Sequence, residues 1–99
     1  MRFEWDVRKD RRNRLKHGIS FAGARLVFDD SRAVSLLDRV VEGEPRWQTL
    51  GLAGGIVILV VAHTLREEDG EEIVRIISAR KATPRERRIY EGQAQKTEE

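Results

Sequence analysis

The chain predicts an α+β fold, an antiparallel β-sheet meander packed by two N-terminal helices and one C-terminal helix in the order β-α-α-β-β-β-β-α. Three observations carry this expectation. Apolar residues recur at helical spacing before residue 30, and a strong helix-capping signal stands at residue 83. Between them the apolar period is that of strands, and Gly54-Gly55 and Asp69-Gly70 punctuate the stretch as hairpin turns. Helices and strands come in runs rather than in alternation, which separates this class from a parallel α/β sheet.

Each element has its own signature. Phe3-Glu4-Trp5 is short and aromatic and suits an edge strand. Asp6 can accept from the free amides of the following turn, so a helix begins there and runs to about His17, with Gly18 in the left-handed terminating position. Its apolar stripe is little more than Val7 and Leu15, so its basic face is left to solvent or a ligand. Ser20 caps a second helix from Phe21 to about Phe28, with Phe21, Ala24, Val27 and Phe28 facing the core, and Asp29-Asp30-Ser31 stops it. Strands are expected over Ala33–Asp38, Arg46–Ala53, Ile56–Arg66 and Glu72–Lys81, with an irregular loop through Val41-Glu42-Gly43-Glu44-Pro45. Thr83-Pro84-Arg85-Glu86 combines an N-cap, a proline in the first helical position and a capping box, and the helix should end near Glu91. One domain over residues 1–91 and a flexible tail over 92–99 follow.

Composition narrows the function. Ninety-nine residues provide one modest core, with 39% hydrophobic and 36% charged residues. Cysteine is absent, which removes disulfides, thiol nucleophiles and Cys-based zinc sites. No apolar run reaches the roughly 20 residues of a membrane span, and no signal-peptide core follows Met1, so the expected location is the cytoplasm. The net charge of +2, from 19 Lys and Arg against 17 Asp and Glu, conceals a segregation. Arg8, Lys9, Arg11, Arg12, Arg14 and Lys16 form one basic run and Arg80, Lys81, Arg85, Arg87 and Arg88 another, while acids gather at Glu67–Glu72 and the carboxyl end. Basic surfaces of this kind attract phosphate backbones through counterion release; the plainer reading of either run is a solvated helix face.

Two-residue turns at both hairpins would set Arg46 opposite His63, Gln48 opposite Val61 and Leu50 opposite Leu59. Val61 would then lie beside Ser78 and Leu59 beside Arg80. One face would hold Arg46, His63, Ser78 and Arg80, with Trp47, Thr64 and Arg75 on the other.

Most catalytic constellations are missing: there is no Walker loop and no His pair at ligand spacing, so no metal site and no cofactor is expected. The glycines at 51, 54 and 55 sit between strands and read as a hairpin rather than a phosphate cradle. His17 reads first as a cation at a helix end and His63 as a half-buried strand residue. What remains is Arg, Lys and His, with Tyr90 and Glu44 as further acid–base candidates. Such a set suits cleavage of RNA by its own 2′-hydroxyl, where the protein only positions, moves protons and offsets phosphate charge. Plain nucleic-acid binding without catalysis is the alternative.

The residues also carry a resemblance. Phe3-Glu4-Trp5-Asp6, Lys9, Asn13, Lys16-His17-Gly18-Ile19, Phe21, Ala24 and Val27-Phe28 resemble the opening of BrnT-type toxins. The likeness continues through Glu44, Arg46, Gly51, Val60-Val61 and Thr64, and closes on Arg75-Ile76-Ile77-Ser78-Ala79-Arg80, Ala82, Glu86-Arg87 and Tyr90-Glu91. It spans residues 2 to 91. The resemblance implies a RelE-like fold and a metal-independent endoribonuclease that reduces translation, the toxin of a type II toxin–antitoxin system. It implies a DNA-binding BrnA-type antitoxin as partner, in a complex with two copies of each chain that binds operator DNA. By the same likeness Arg80 and Tyr90 match a layout of basic residues on the sheet and a Tyr in the last helix; their plainer roles are a helix-capping salt bridge and core packing, and Arg75 reads equally as a cross-strand ion partner. With the residue reading, the expected catalytic residues are Arg80, Arg75, Glu44, His63 and Tyr90, with Lys16, His17, Arg46, Arg12, Lys9 and Lys81 binding RNA. Pro45 departs from the pattern where a second Glu usually precedes Arg46, leaving Glu44 alone, and the acidic segment Glu67–Glu72 is longer than usual.

Overall fold

In the computed structural model the chain runs β1 (Arg2–Trp5), α1 (Val7–His17), α2 (Phe21–Ala24), a 3-10 segment (Arg25–Asp29), β2 (Val34–Val41), β3 (Glu44–Ala53), β4 (Val57–Glu68), β5 (Glu71–Lys81) and α3 (Pro84–Glu98). The structure describes the backbone of residues 1–98 and the side chains of residues 1–92. The strands form one sheet in the order β1-β5-β4-β3-β2. Strands β2 to β5 are the expected antiparallel meander, but β1 lies parallel to β5, so the α+β sheet is mixed. Among the described residues no helix is long and apolar enough to cross a membrane.

The caps are where the sequence puts them. The Asp6 carboxylate accepts from the Arg8 and Lys9 amides, and Gly18 ends α1 at φ 71°. Thr83 Oγ1 accepts from the Glu86 amide while the Glu86 carboxylate accepts from the Thr83 amide, completing the capping box of α3. That helix passes the end expected near Glu91; the expected tail over 92–99 falls largely outside the residues whose side chains are described. The second helix is shorter than expected. After Ala24 it tightens into the 3-10 segment, yet Phe21, Ala24 and Val27 still bury completely.

Two turns differ from expectation. The supposed irregular loop at 41–45 is a tight hairpin: Val41 pairs with Glu44, and Glu42 and Gly43 turn the chain at φ 49° and 81°. Both central residues of such a turn need positive φ, and Glu at the first lacks the Asn or Gly signature. At Gly54-Gly55 the turn takes in Ile56 as well, because Ala53 pairs with Val57. That shifts the β3–β4 register by one residue, setting Trp47 opposite His63, Gln48 opposite Ala62 and Leu50 opposite Val60. Asp69-Gly70 does form the expected two-residue turn, with Glu68 opposite Glu71. A β-bulge at Ile77 then moves β5 by one, so Ser78 lies opposite Ala62 and Arg80 opposite Val60.

These shifts correct the expected faces. His63 lies with Trp47 on the face under the helices, whereas Arg46, Gln48, Thr64, Arg75, Ser78 and Arg80 share the opposite face. The main core forms on the helix side, where Phe21, Ala24 and Val27 pack on Leu59, Val61, Val74, Ile76 and Ala79. A smaller cluster of Leu50, Val60 and Ala82, with Ile58 against it, packs the other face. Gly51 permits the 3-10 segment to close on β3, since a Cβ there would stand 2.8 Å from Val27 Cγ1 and 3.2 Å from its carbonyl oxygen.

Candidate functional site

Helix α1 is held by polar bonds rather than by the apolar stripe read from the sequence. Val7 and Leu15 are 62% and 86% exposed, and the residue turned inward is Asn13. β1 pairs with β5 only as far as Ile76, so the β5 edge beyond it has no strand neighbour there. Asn13 takes that place. Its amide nitrogen donates to the Ala79 carbonyl at 2.8 Å and the Ile19 carbonyl at 2.9 Å, and its oxygen accepts from the Ala79 amide at 3.1 Å. Asp10 accepts from the Phe21 amide at 2.8 Å and fixes the start of α2.

This clamp sets the basic face of α1 over the β5 bulge. Lys9, Arg12, Lys16 and His17 line a cleft of about 230 Å³ whose floor is Ile77 and Ser78. On the other side of the same two residues lies a cleft of about 300 Å³ bordered by Arg46, Gln48, Ala62 and Arg39. The two clefts share these bulge residues, one on the α1 side and one on the open face of the sheet, and the pair is termed the trough. Arg46 is half-buried, with Glu44 at 3.6 Å from its Nε, and that buried Nε makes no hydrogen bond. The buried Nε faces Glu44, while the side chain as a whole is partly exposed and borders the cleft, where a guanidinium is suited to a phosphate oxygen.

The remaining expected site residues are engaged elsewhere. Arg75 shares the open face but lies 3.5 Å from Glu4, which is also hydrogen-bonded by Arg66. The Arg66 bond, with Arg75 adding to it, holds the Glu4 carboxyl below its usual range. Arg80 forms a two-pronged pair with Glu86 at 2.7 and 2.9 Å. That pairing drives the Glu86 carboxyl down to about 2 and raises the Arg80 guanidinium. Tyr90 is buried and its hydroxyl donates to Asp30 Oδ2 at 2.6 Å. Burial first and the neighbouring Asp30 second push that phenol up to about 12. Asp30 also accepts from the Leu52 amide at 2.8 Å; burial would raise its carboxyl, but the donated bonds outweigh it and hold it low.

His63 is 1% exposed, with its ring edge-on to Phe28 and its Nε2 2.7 Å from Thr49 Oγ1, which in turn lies 2.8 Å from Ser35 Oγ. Burial lowers its pKa, so it sits neutral in the core. Lys81 faces the helix side near Ile19 and Ser20, apart from the trough. Among the described residues no three His, Asp or Glu side chains converge to hold a metal ion. The two clefts gather Lys9, Arg12, Lys16, His17 and Arg46, with Glu44 beside Arg46; Arg80 lies two residues along β5 from Ser78 on the same face but is paired with Glu86, and His63, Lys81 and Tyr90 lie elsewhere. Asn13 and Ser78 are the residues that sequence reasoning left unassigned; an Asn amid the basic run of a thinly apolar helix was the available signal.

The comparisons agree with this architecture. The structure is similar to the crystal structure, at 1.1 Å resolution, of the ribonuclease toxin BrnT from Brucella abortus, with a TM-score of 0.64 and 25% sequence identity over 84% of this chain and 97% of that one. No curated protein matches the sequence. Residues 5–86 match the family described as the ribonuclease toxin, BrnT, of type II toxin–antitoxin systems. On that match, which spans most of the fold and both walls of the trough, the chain belongs to the BrnT family of ribonuclease toxins.

Proposed function

We propose that the protein is a metal-independent endoribonuclease that cleaves RNA in the trough across the Ile77–Ser78 bulge. The observation that supports this reading is that the cleft of the α1 cations and the cleft bordered by the partly exposed Arg46 share the bulge residues Ile77 and Ser78. Lys9, Arg12, Lys16 and His17 bind the ribose-phosphate backbone. Arg46 holds the scissile phosphate and offsets the charge that builds on it in the transition state. Glu44 is positioned to take the 2′-hydroxyl proton; the 2′-oxygen then attacks phosphorus as the 5′-oxygen departs, taking a proton from His17 or solvent. The products are a 2′,3′-cyclic phosphate and a 5′-hydroxyl, and RNA supplies the nucleophile itself. Arg75 borders the same face and adds positive potential. Arg80 and Tyr90, held by Glu86 and Asp30, dock α3 on this reading, and His63 and Lys81 stay outside the site.

As a toxin of this kind the protein acts in the cytoplasm, reduces translation, and is neutralised by a DNA-binding BrnA-type antitoxin in a complex of two copies of each that binds operator DNA. Single-turnover cleavage of a short RNA tests the site. Arg46→Ala should slow cleavage by about 10²-fold or more, whereas Tyr90→Phe should leave the rate near wild type. Loss of activity in Tyr90→Phe with none in Arg46→Ala would move the reaction to the α3 end of the sheet.

A further inference from the structure

Strand β2 is the outer edge of the sheet and carries more apolar surface than a solvated edge needs. Leu36, Leu37, Val40 and Val41 are 41%, 56%, 58% and 36% exposed. Between the two apolar pairs stand Asp38 and Arg39, themselves an ion pair at 3.1 Å. Read in either direction, Leu36 to Val41 is apolar, apolar, charge, charge, apolar, apolar, with the charges exchanged. A strand of this kind is complementary to itself in antiparallel orientation.

We propose that β2 is a homodimer edge, pairing with β2 of a second copy about a two-fold axis normal to the sheet between Asp38 and Arg39. The axis sets Leu36 opposite Val41, Leu37 opposite Val40, and each Asp38 opposite the other copy's Arg39. In an unbroken strand this register fails, because residues an odd number apart lie on opposite faces. Here a bulge at Asp38 breaks the alternation: Leu37 pairs with Trp47 on the helix-side face, while Arg39 pairs with Arg46 on the open face. Leu36 and Val41, opposite Gln48 and Glu44, then share the open face, and Leu37 and Val40 share the other. Every apolar pair in the dimer is thereby face-matched, and both charge pairs fall on the open side. Bulges usually blunt an edge; this one is what makes the edge self-complementary. Asp38, Arg39 and Val41 also border the open-face cleft, so the axis sets the two troughs side by side.

Sedimentation equilibrium of the full chain tests this. Wild type should associate reversibly to a dimer. Asp38→Arg, which sets four cations around the axis, should weaken association by about tenfold or more, and the double exchange D38R/R39D should restore it. Far-UV circular dichroism checks that each variant keeps the fold. A wild-type chain that stays monomeric at all accessible concentrations, leaving the edge to a strand of another protein, would overturn the proposal. So would a dimer that Asp38→Arg leaves intact, or one that the double exchange fails to restore.

Discussion

Asn13 shows how one polar side chain positions a surface. It supplies β5 with the bonds that a neighbouring strand would otherwise give and so holds the basic face of α1 over Ser78. Asn13→Ala leaves the Ala79 amide and two carbonyls without their partner. The expected cost is about 3 kcal/mol, read as a lower urea midpoint with unchanged m-value. RNA affinity should fall with it. Glu86 carries a pH prediction. Its folded pKa of about 2 lies below the ordinary 4.5, because Arg80 and the Thr83 amide bind the charged form. The pair's contribution to stability is thus complete above pH 4.5 and is lost as the pH falls through about 2. In acid titrations Glu86→Gln should be less stable than wild type at neutral pH and close the gap across that window; a constant difference would assign the loss to something other than ionisation. At this scale the caps Asp6, Gly18, Ser20, Thr83 and Glu86 were legible in the sequence because capping is local chemistry. The core place of His63 was not, since it depends on the register set by the turn at residues 54–56.

At the scale of elements the outcome turned on single-residue register. Strands and helices fell close to where periodicity put them, and residues 44 to 81 do form an antiparallel meander. Turn lengths were the weak point. Gly-Gly can serve a two-residue or a three-residue connection, and Glu42-Gly43 hid a tight hairpin behind an unusual first residue. The Ile77 bulge leaves no mark in the hydrophobic pattern, yet it turns Ser78 to the open face and floors the trough. The parallel placement of β1 is equally silent, since it depends on where α1 lets the chain return. Gly51 links two elements through a close approach. Gly51→Ala should cost about 2 kcal/mol through overpacking against Val27, measured as a drop in thermal midpoint, and Val27→Ala should relieve part of that strain in the double mutant.

For the whole molecule the net charge of +2 is a sum over unlike faces. The α1 cations and Arg46 line two clefts that share Ile77 and Ser78, while Glu67, Glu68, Asp69, Glu71 and Glu72 stand at the hairpin tip of β4 and β5. RNA binding should therefore weaken steeply with salt, log K falling linearly with log salt at a slope near −0.7 per phosphate contact. Removing Lys16 should flatten that slope by roughly one contact's worth, whereas removing an acid from the hairpin tip should leave it unchanged. The small size of the chain is no obstacle to enzymatic function when the substrate carries its own nucleophile. The central claim is tested most directly by incubating the purified chain with a defined RNA in EDTA and identifying the new ends. Cleavage with 2′,3′-cyclic phosphate and 5′-hydroxyl termini is expected. Binding without cleavage, or products bearing 5′-phosphates, would contradict it.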